Sequence, residues 1–257
     1  MRPDVAEVRD FYQSPLGVVA RRLLVHRIRA LWPDVRQQTV LGLGYAAPLM
    51  RPFLSEAERL IAVMPEDQGA VRWPDDGPSR VILASETELP LPDACVDKVI
   101  AVHCLEMAGS PRPMLREIWR VLAPEGKLML LVPNRRGLWA RFDTTPFGHG
   151  RPYSNGQLGR LLSDAMFTPT DRSPALFMPP LSWPLVLNTA VAWERVGSYA
   201  WPRFCGVLMA EAQKHLYAPI VEPAKEALPQ FRTANAVSAR VQHRTAHKVL
   251  HPVKKFG

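Results

Sequence analysis

Two glycines and a few histidines are the residues whose types and spacing suggest chemistry. Gly42 and Gly44 lie in TVLGLGYAAP, residues 39–48, where a short apolar run ends in Gly-Leu-Gly. Glycine after a strand lets the backbone approach a ligand closely, and it serves a plain strand-end turn equally well. His103 follows an apolar segment by one residue. Its imidazole could hydrogen-bond a ligand, work as a general base near neutral pH, or be satisfied by backbone. His149 and Tyr153 lie in FGHGRPYS, with Arg151 between them, and Gly148 and Gly150 permit a mobile loop that approaches a ligand closely. The other reading of that loop is a connector ending at Ser154. Cys104 is a nucleophile by type, but nothing around it suggests a triad, and a buried thiol is expected. His243, His247 and His251 recur every four residues. That spacing can hold a metal on a helix face, yet in a basic tail it is a thin signal, and no metal site is expected.

These residues need elements to position them. The chain has 257 residues, 47% of them apolar, which suffices for one α/β domain with an extension and excludes global disorder. Residues 4–32 carry Leu16, Val19, Ala20, Leu23 and Leu24 at helical spacing, and Pro33 ends the run. Apolar segments at 39–44, 59–64, 80–85, 96–103 and 126–134 read as strands. Helical segments are expected at 46–57 and 113–124 between them. Strands spaced in this way predict a parallel sheet with helices on both faces. Residues 65–79 read as loop, and so do residues 135–154, a length often associated with function. Ser154 with Gln157 makes a capping-box signature for a further helix. Residues 175–180 and 205–215 read as two more strands around an apolar helix near 183–199.

The formal net charge is +8, and no acidic residue follows Glu226, whereas Arg232, Arg240, Arg244, Lys248, Lys254 and Lys255 do. Contact of this basic extension with nucleic acid or an anionic surface is one reading; a solvated tail is favoured. With only Phe231 and Phe256 there, a base-stacking platform is disfavoured. Cys95, Cys104 and Cys205 fit neither a disulfide framework nor a zinc spacing, which indicates a reducing compartment. The charged start MRPDVAEVRD is not a signal peptide, and the apolar run 179–191 is too short to span a membrane. A soluble, cytoplasmic protein is expected, with residues 1–34 as an N-terminal helical segment, 35–217 as the main domain and 218–257 as the basic extension.

Two passages carry a family resemblance: LPLPDACVDKVIAVHCLEM (89–107) and LREIWRVLAPEGKLMLLVPN (115–134). With the Gly-bearing first strand ahead of them, they resemble class I S-adenosylmethionine-dependent methyltransferases of the type 11 group. The matching positions are Leu89-Pro90-Leu91-Pro92-Asp93, Asp97, Leu105-Glu106, Arg116-Glu117, Arg120-Val121-Leu122, Pro124 and Gly126. The resemblance covers roughly residues 35–217. It implies a Rossmann-like, doubly wound, mostly parallel seven-stranded sheet. It also implies S-adenosylmethionine as cofactor, held at the carboxyl ends of the strands. The cofactor positions implied are Gly42, Gly44, Tyr45, Met64, Ser85, Glu86 and His103.

Several of these depart from the family pattern. The first-motif acid falls at Gly42, and the later glycines fall at Ala46 and Pro48. The ribose-binding acid falls at Met64, and the acid after the third strand falls at Ser85, beside Glu86. Each charge-assisted hydrogen bond lost in this way is worth about 1.5–3 kcal/mol, so donor binding is expected to be weakened unless Glu66, Glu86 or backbone groups compensate. His103, His149 and Tyr153 are the candidate catalytic residues. The acceptor is read as a small molecule or a lipid-like compound. The alternative is a methyltransferase-fold protein without catalysis, acting as a binding or regulatory partner of another protein. Trp183, Trp193 and Trp201 read chiefly as a helix packed at the sheet edge, with a greasy acceptor site or a membrane-facing lip as the other reading.

Overall fold

The structure is a computed structural model, and it describes residues 2–214. The basic extension, with its histidines and its nucleic-acid or anionic-surface reading, lies outside the described residues.

Seven strands form one sheet: β1 (Thr39–Gly44), β2 (Arg59–Met64), β3 (Val81–Leu83), β4 (Val96–Val102), β5 (Leu122–Pro133), β6 (Phe167–Arg172) and β7 (Val207–Lys214). Their order is β3-β2-β1-β4-β5-β7-β6. The first five run parallel, and β7 runs antiparallel to β5 and to β6. The central strands are buried along nearly their whole length, as a sheet covered on both faces requires. The chain reverses its winding between β1 and β4, so their carboxyl ends frame the crevice in which open α/β sheets bind ligands.

Helices α1 (Val5–Gln13), α2 (Pro15–Leu31) and α3 (Ala47–Met50) cover one face of the sheet. The other is covered by α4 (Pro111–Val121) and α5 (Asn155–Asp164). The expected single N-terminal helix is two helices. Ser14 sits extended (ψ 157), and its Oγ accepts the Gly17 N–H at 3.1 Å, so it caps α2, with Pro15 in the first turn. The helix expected over 46–57 is one α-turn followed by a 3-10 turn, Arg51–Phe53. The expected strand over 175–180 makes only a bridge, Ala175 to Val207, and the sixth strand is the polar Phe167–Arg172 instead. The apolar helix near 183–199 is split into α6 (Pro184–Asn188) and α7 (Ala190–Ala200). The Ser154–Gln157 capping box is present as expected.

The family-like motif residues support the sheet. Arg120 on α4 donates to the Leu89 and Leu91 carbonyls at 3.0 and 2.9 Å and to the Glu117 and Asp93 carboxylates, each at 2.6 Å. Glu117 also accepts the Leu89 N–H at 2.8 Å. Arg120→Ala leaves several of these acceptors without a donor and is expected to cost about 2–3 kcal/mol in a urea melt. The bonds from Arg120 hold the Glu117 carboxyl below its usual range. A depressed carboxylate contributes stability above its unfolded pKa of about 4.3, and that stability is lost as pH falls through the folded value. Glu117→Gln is therefore expected to flatten the acid limb of a stability–pH profile below about pH 4 and to leave its slope near neutrality unchanged.

Candidate functional site

At the carboxyl end of β1 the chain turns sharply, with Gly44 at φ +76° and the Tyr45 N–H donating to the Val102 carbonyl at 2.9 Å. At the end of β4, His103 takes a left-handed conformation, φ +52°. That backbone region is uncommon for a residue with a side chain and is a marker of functional sites. His103 is wholly buried. Its Nε2 lies 2.9 Å from the Tyr12 hydroxyl, its ring packs 4.6 Å from the Phe147 ring, and its Nδ1 lies 3.4 Å from Glu106 Oε1.

Helix α1 lies across these strand ends. The Val5 N–H donates to the Gln68 carbonyl at 3.0 Å. Ahead of the helix, Arg2 pairs with Glu86 at 2.8 Å and also with Asp67. Val8 is fully buried, and Tyr12 stacks on Tyr45 with ring centroids 5.9 Å apart. Burial raises the Tyr45 hydroxyl to about 12 and the Tyr12 hydroxyl further still. Under this helix lies a set of buried polar atoms that have no hydrogen-bond partner among the described residues. They are Arg2 Nε, both amide atoms of Gln68, His103 Nδ1 and both carboxylate oxygens of Glu106. Buried polar groups are almost always satisfied, so such a cluster needs an explanation, and a bound polar ligand is one.

The expected site residues divide into three groups. Tyr45, Met64, Glu86 and His103 gather around the strand ends, and Met64 is an apolar floor whose Sδ takes the Val71 N–H at 3.5 Å. Ser85 is half-buried nearby and bonds Thr87. Gly42 faces the core, where an added Cβ would lie 2.5 Å from Met50 Sδ, so its lack of a side chain serves packing under α3. His149 and Tyr153 hold loops. His149 Nε2 lies 2.9 Å from the Asp143 carbonyl, and the Tyr153 hydroxyl donates to the Leu105 carbonyl at 3.4 Å. Burial pushes Tyr153 up, as it does Cys104, which is an enclosed thiol 3.4 Å from Met114 Sδ.

Arg2, Tyr12, Gln68 and the carboxylate of Glu106 lie with these candidate residues, and of the four only Glu106 stands in a recognisable motif. A cavity of about 480 Å³ opens beside Tyr12 and Tyr45, with Trp73, Arg9, Arg21, Arg51, Arg72 and Asp75 in its lining, Asp75 pairing with Arg51 at 3.8 Å. Among the described residues, no group of three or more His, Cys, Asp or Glu could hold a metal ion. No helix there is long and apolar enough to cross a membrane.

The comparisons with known proteins agree with this architecture. Residues 42–130 match the family model for a methyltransferase domain. A protein of Mycobacterium tuberculosis strain H37Rv, described as a probable S-adenosylmethionine-dependent methyltransferase, is 36% identical over 129 residues, covering 49% of this chain and 46% of its own. A similarly described protein of Mycolicibacterium smegmatis is 31% identical over 134 residues, covering 51% and 50%. The alignments thus span about half the length of these relatives. Among solved structures, a SAM-dependent methyltransferase from Thermotoga maritima superposes with a TM-score of 0.56 at 15% identity, covering 82% of this chain and 95% of that one. Another from Archaeoglobus fulgidus gives 0.52 at 19% identity, covering 76% and 94%. Residues 42–130 are thus similar to a methyltransferase domain, and they lie in a seven-stranded, mostly parallel sheet of the fold that these solved structures share.

Proposed function

We propose that the chain binds S-adenosylmethionine at the carboxyl ends of β1, β2 and β4 and transfers its methyl group to an acidic small-molecule or lipid-like acceptor. The observation that carries this reading is the set of unpartnered buried polar atoms on Arg2, Gln68, His103 and Glu106, gathered where a class I domain holds its donor. When bound, the donor supplies a methyl group already activated on a sulfonium. The protein's part is then to position the reactants and exclude water.

The residues present fit that task. Glu106 offers a buried acceptor for the donor's ammonium, and the Gln68 amide and Glu86 offer polar contacts near Met64, where the ribose acid is missing. Tyr45 and Met64 supply apolar walls, Ser85 lies toward the third-strand end, and α1 shields the set from solvent. Donor entry requires α1 to shift. His103 becomes available to take a proton from the acceptor only when Tyr12 releases its Nε2. Arg21 and Arg72 line the neighbouring cavity without an ion pair among the described residues and suit an acceptor with carboxylate or phosphate groups, whereas Arg9 and Arg51 there are paired with Asp10 and Asp75.

Calorimetry with S-adenosylmethionine and its demethylated product tests the reading. Binding of both is expected, together with slower amide exchange across residues 5–13 in the complex. No binding at millimolar ligand would sink it and leave the non-catalytic binding partner as the better account. Arg2→Ala, which removes the tie to Glu86 and Asp67, is expected to speed donor release about tenfold or more, since the helix then opens more readily.

A further inference from the structure

Helix α7 is built with its polarity reversed. Its inward positions are Ala190, Glu194 and Gly197. The Glu194 carboxylate accepts the Phe177 N–H at 2.6 Å inside the protein, with Arg27 at 3.6 Å, and its pKa is raised by burial. Its outward positions carry Val191, Val196 and Tyr199, exposed to 49%, 53% and 92%. Before it come Trp183 at 65% and Leu185 at 75%, and Phe204 follows at 58%. A shallow cavity of about 470 Å³ lies among them, walled by Leu185, Trp193, Val196 and Trp201. An amphipathic helix normally turns its apolar stripe to the core. Here the carboxylate is inside and the valines are out, so core packing does not account for the outer face. Exposed apolar surface concentrated in this way marks an interaction site.

The charge around the patch has one sign. Between Arg172 and Ala210 the only acidic residue is Glu194, which is buried, whereas Arg195 and Arg203 stand exposed at the rim. Arg22, His26 and Arg27 line a neighbouring cavity with Arg195. The two aliphatic hydroxyls in the patch are turned onto helix carbonyls: Thr189 Oγ1 donates to the Leu185 carbonyl at 2.6 Å and Ser198 Oγ to the Arg195 carbonyl at 2.9 Å. The face therefore presents aromatic and aliphatic groups with few directional hydrogen-bonding groups. That favours a fluid apolar phase over a specific protein partner. Tryptophan and tyrosine beside an apolar stripe, with arginine at its edge, suit the boundary between lipid headgroups and acyl chains. Arg22, Arg195 and Arg203, for which no ion pair is found among the described residues, favour anionic headgroups.

We propose that α6, α7 and the turn after them dock the protein on an anionic lipid surface. This contact does not depend on methyl transfer. Its test is flotation of the full chain with vesicles of phosphatidylcholine alone or mixed with phosphatidylglycerol. The full chain is expected to float with the mixed vesicles. The combined variant Trp183→Ser, Leu185→Ser and Tyr199→Ser is expected to partition about tenfold less or weaker. All three side chains are exposed, so an unchanged melting temperature shows that the fold is intact. Arg195→Gln with Arg203→Gln is expected to remove most of the dependence on phosphatidylglycerol. Absence of flotation by the full chain overturns the proposal. So does equal flotation of the triple variant, which would place the contact elsewhere, such as in the basic residues after Glu226. A dimer in sedimentation that the triple variant dissolves, without vesicle binding, would assign the face to a second copy and also overturn it.

Discussion

Gly44→Ala is expected to lower stability by about 3 kcal/mol, combining overpacking with a left-handed backbone, and so to lower the melting temperature by about 6–12 °C. A Cβ on Gly44 would stand 2.2 Å from the Val102 carbonyl oxygen and 2.9 Å from Cys104 Cβ, at a backbone φ of +76°. The first neighbour is backbone, so the clash cannot be relieved by turning a side chain. Relief requires the ends of β1 and β4 to part, and the Tyr45 N–H bond to Val102 would stretch with them. The glycine that sequence reasoning assigned to a cofactor therefore has a structural duty first: it brings the first strand against the fourth. Its effect on a ligand follows from that duty, because His103 and Glu106 begin directly after Val102. Donor affinity is expected to fall in the folded fraction of Gly44→Ala through displacement of those two residues. A melting temperature within about 2 °C of the parent would show that the strand ends part easily and would remove the argument.

Much of this architecture is legible from residue order alone. The buried strands β1, β2 and β4 agree with their apolar runs to within a residue, because strands covered on both faces are written mainly in Val, Leu, Ile and Ala. Helix α4 shows in Leu115 and Ile118, and the Ser154 cap in its partner Gln157. The misses have physical reasons. Strand β6, FTPTDR, lies at the sheet edge with half its length exposed, so neither composition nor alternation marks it. Residues 175–180 are apolar because they are buried, but Leu176 turns left-handed at φ +58° and pairing stops after one bridge. The break at Ser14 was hidden by apolar spacing that continues through it.

The site divides in the same way. His103 stands out in the sequence by its place after a strand, a local property. The partners of Glu86 and His103 were not found, because Arg2 and Tyr12 reach them from 84 and 91 residues away. Met64 is fully buried at the end of β2.

The other large effect is expected at Glu106, where stability and binding should move in opposite directions. Both carboxylate oxygens of Glu106 are buried without a hydrogen-bond partner among the described residues, and an ionisable neighbour, the His103 ring, lies at 3.4 Å. A buried carboxylate held so poorly costs folding free energy that an apolar side chain of similar size would not. Glu106→Leu is therefore expected to stabilise the ligand-free protein by about 1–3 kcal/mol. The backbone around it is unaffected in kind, since the Arg151 N–H still donates to the residue 106 carbonyl at 2.8 Å. If Glu106 is the acceptor for the donor's ammonium, the same change removes a charge-assisted bond of about 1.5–3 kcal/mol, which is roughly a ten- to hundredfold loss of affinity. Glu106→Gln keeps the shape and one acceptor, and should fall between the parent and the leucine variant in both measurements. A purely structural role predicts otherwise: Glu106→Leu would destabilise the protein or leave donor affinity unchanged. A stabilised protein with weakened binding is the pattern of a residue kept for its ligand at the expense of the fold, and denaturant melts beside calorimetry would read both sides of it.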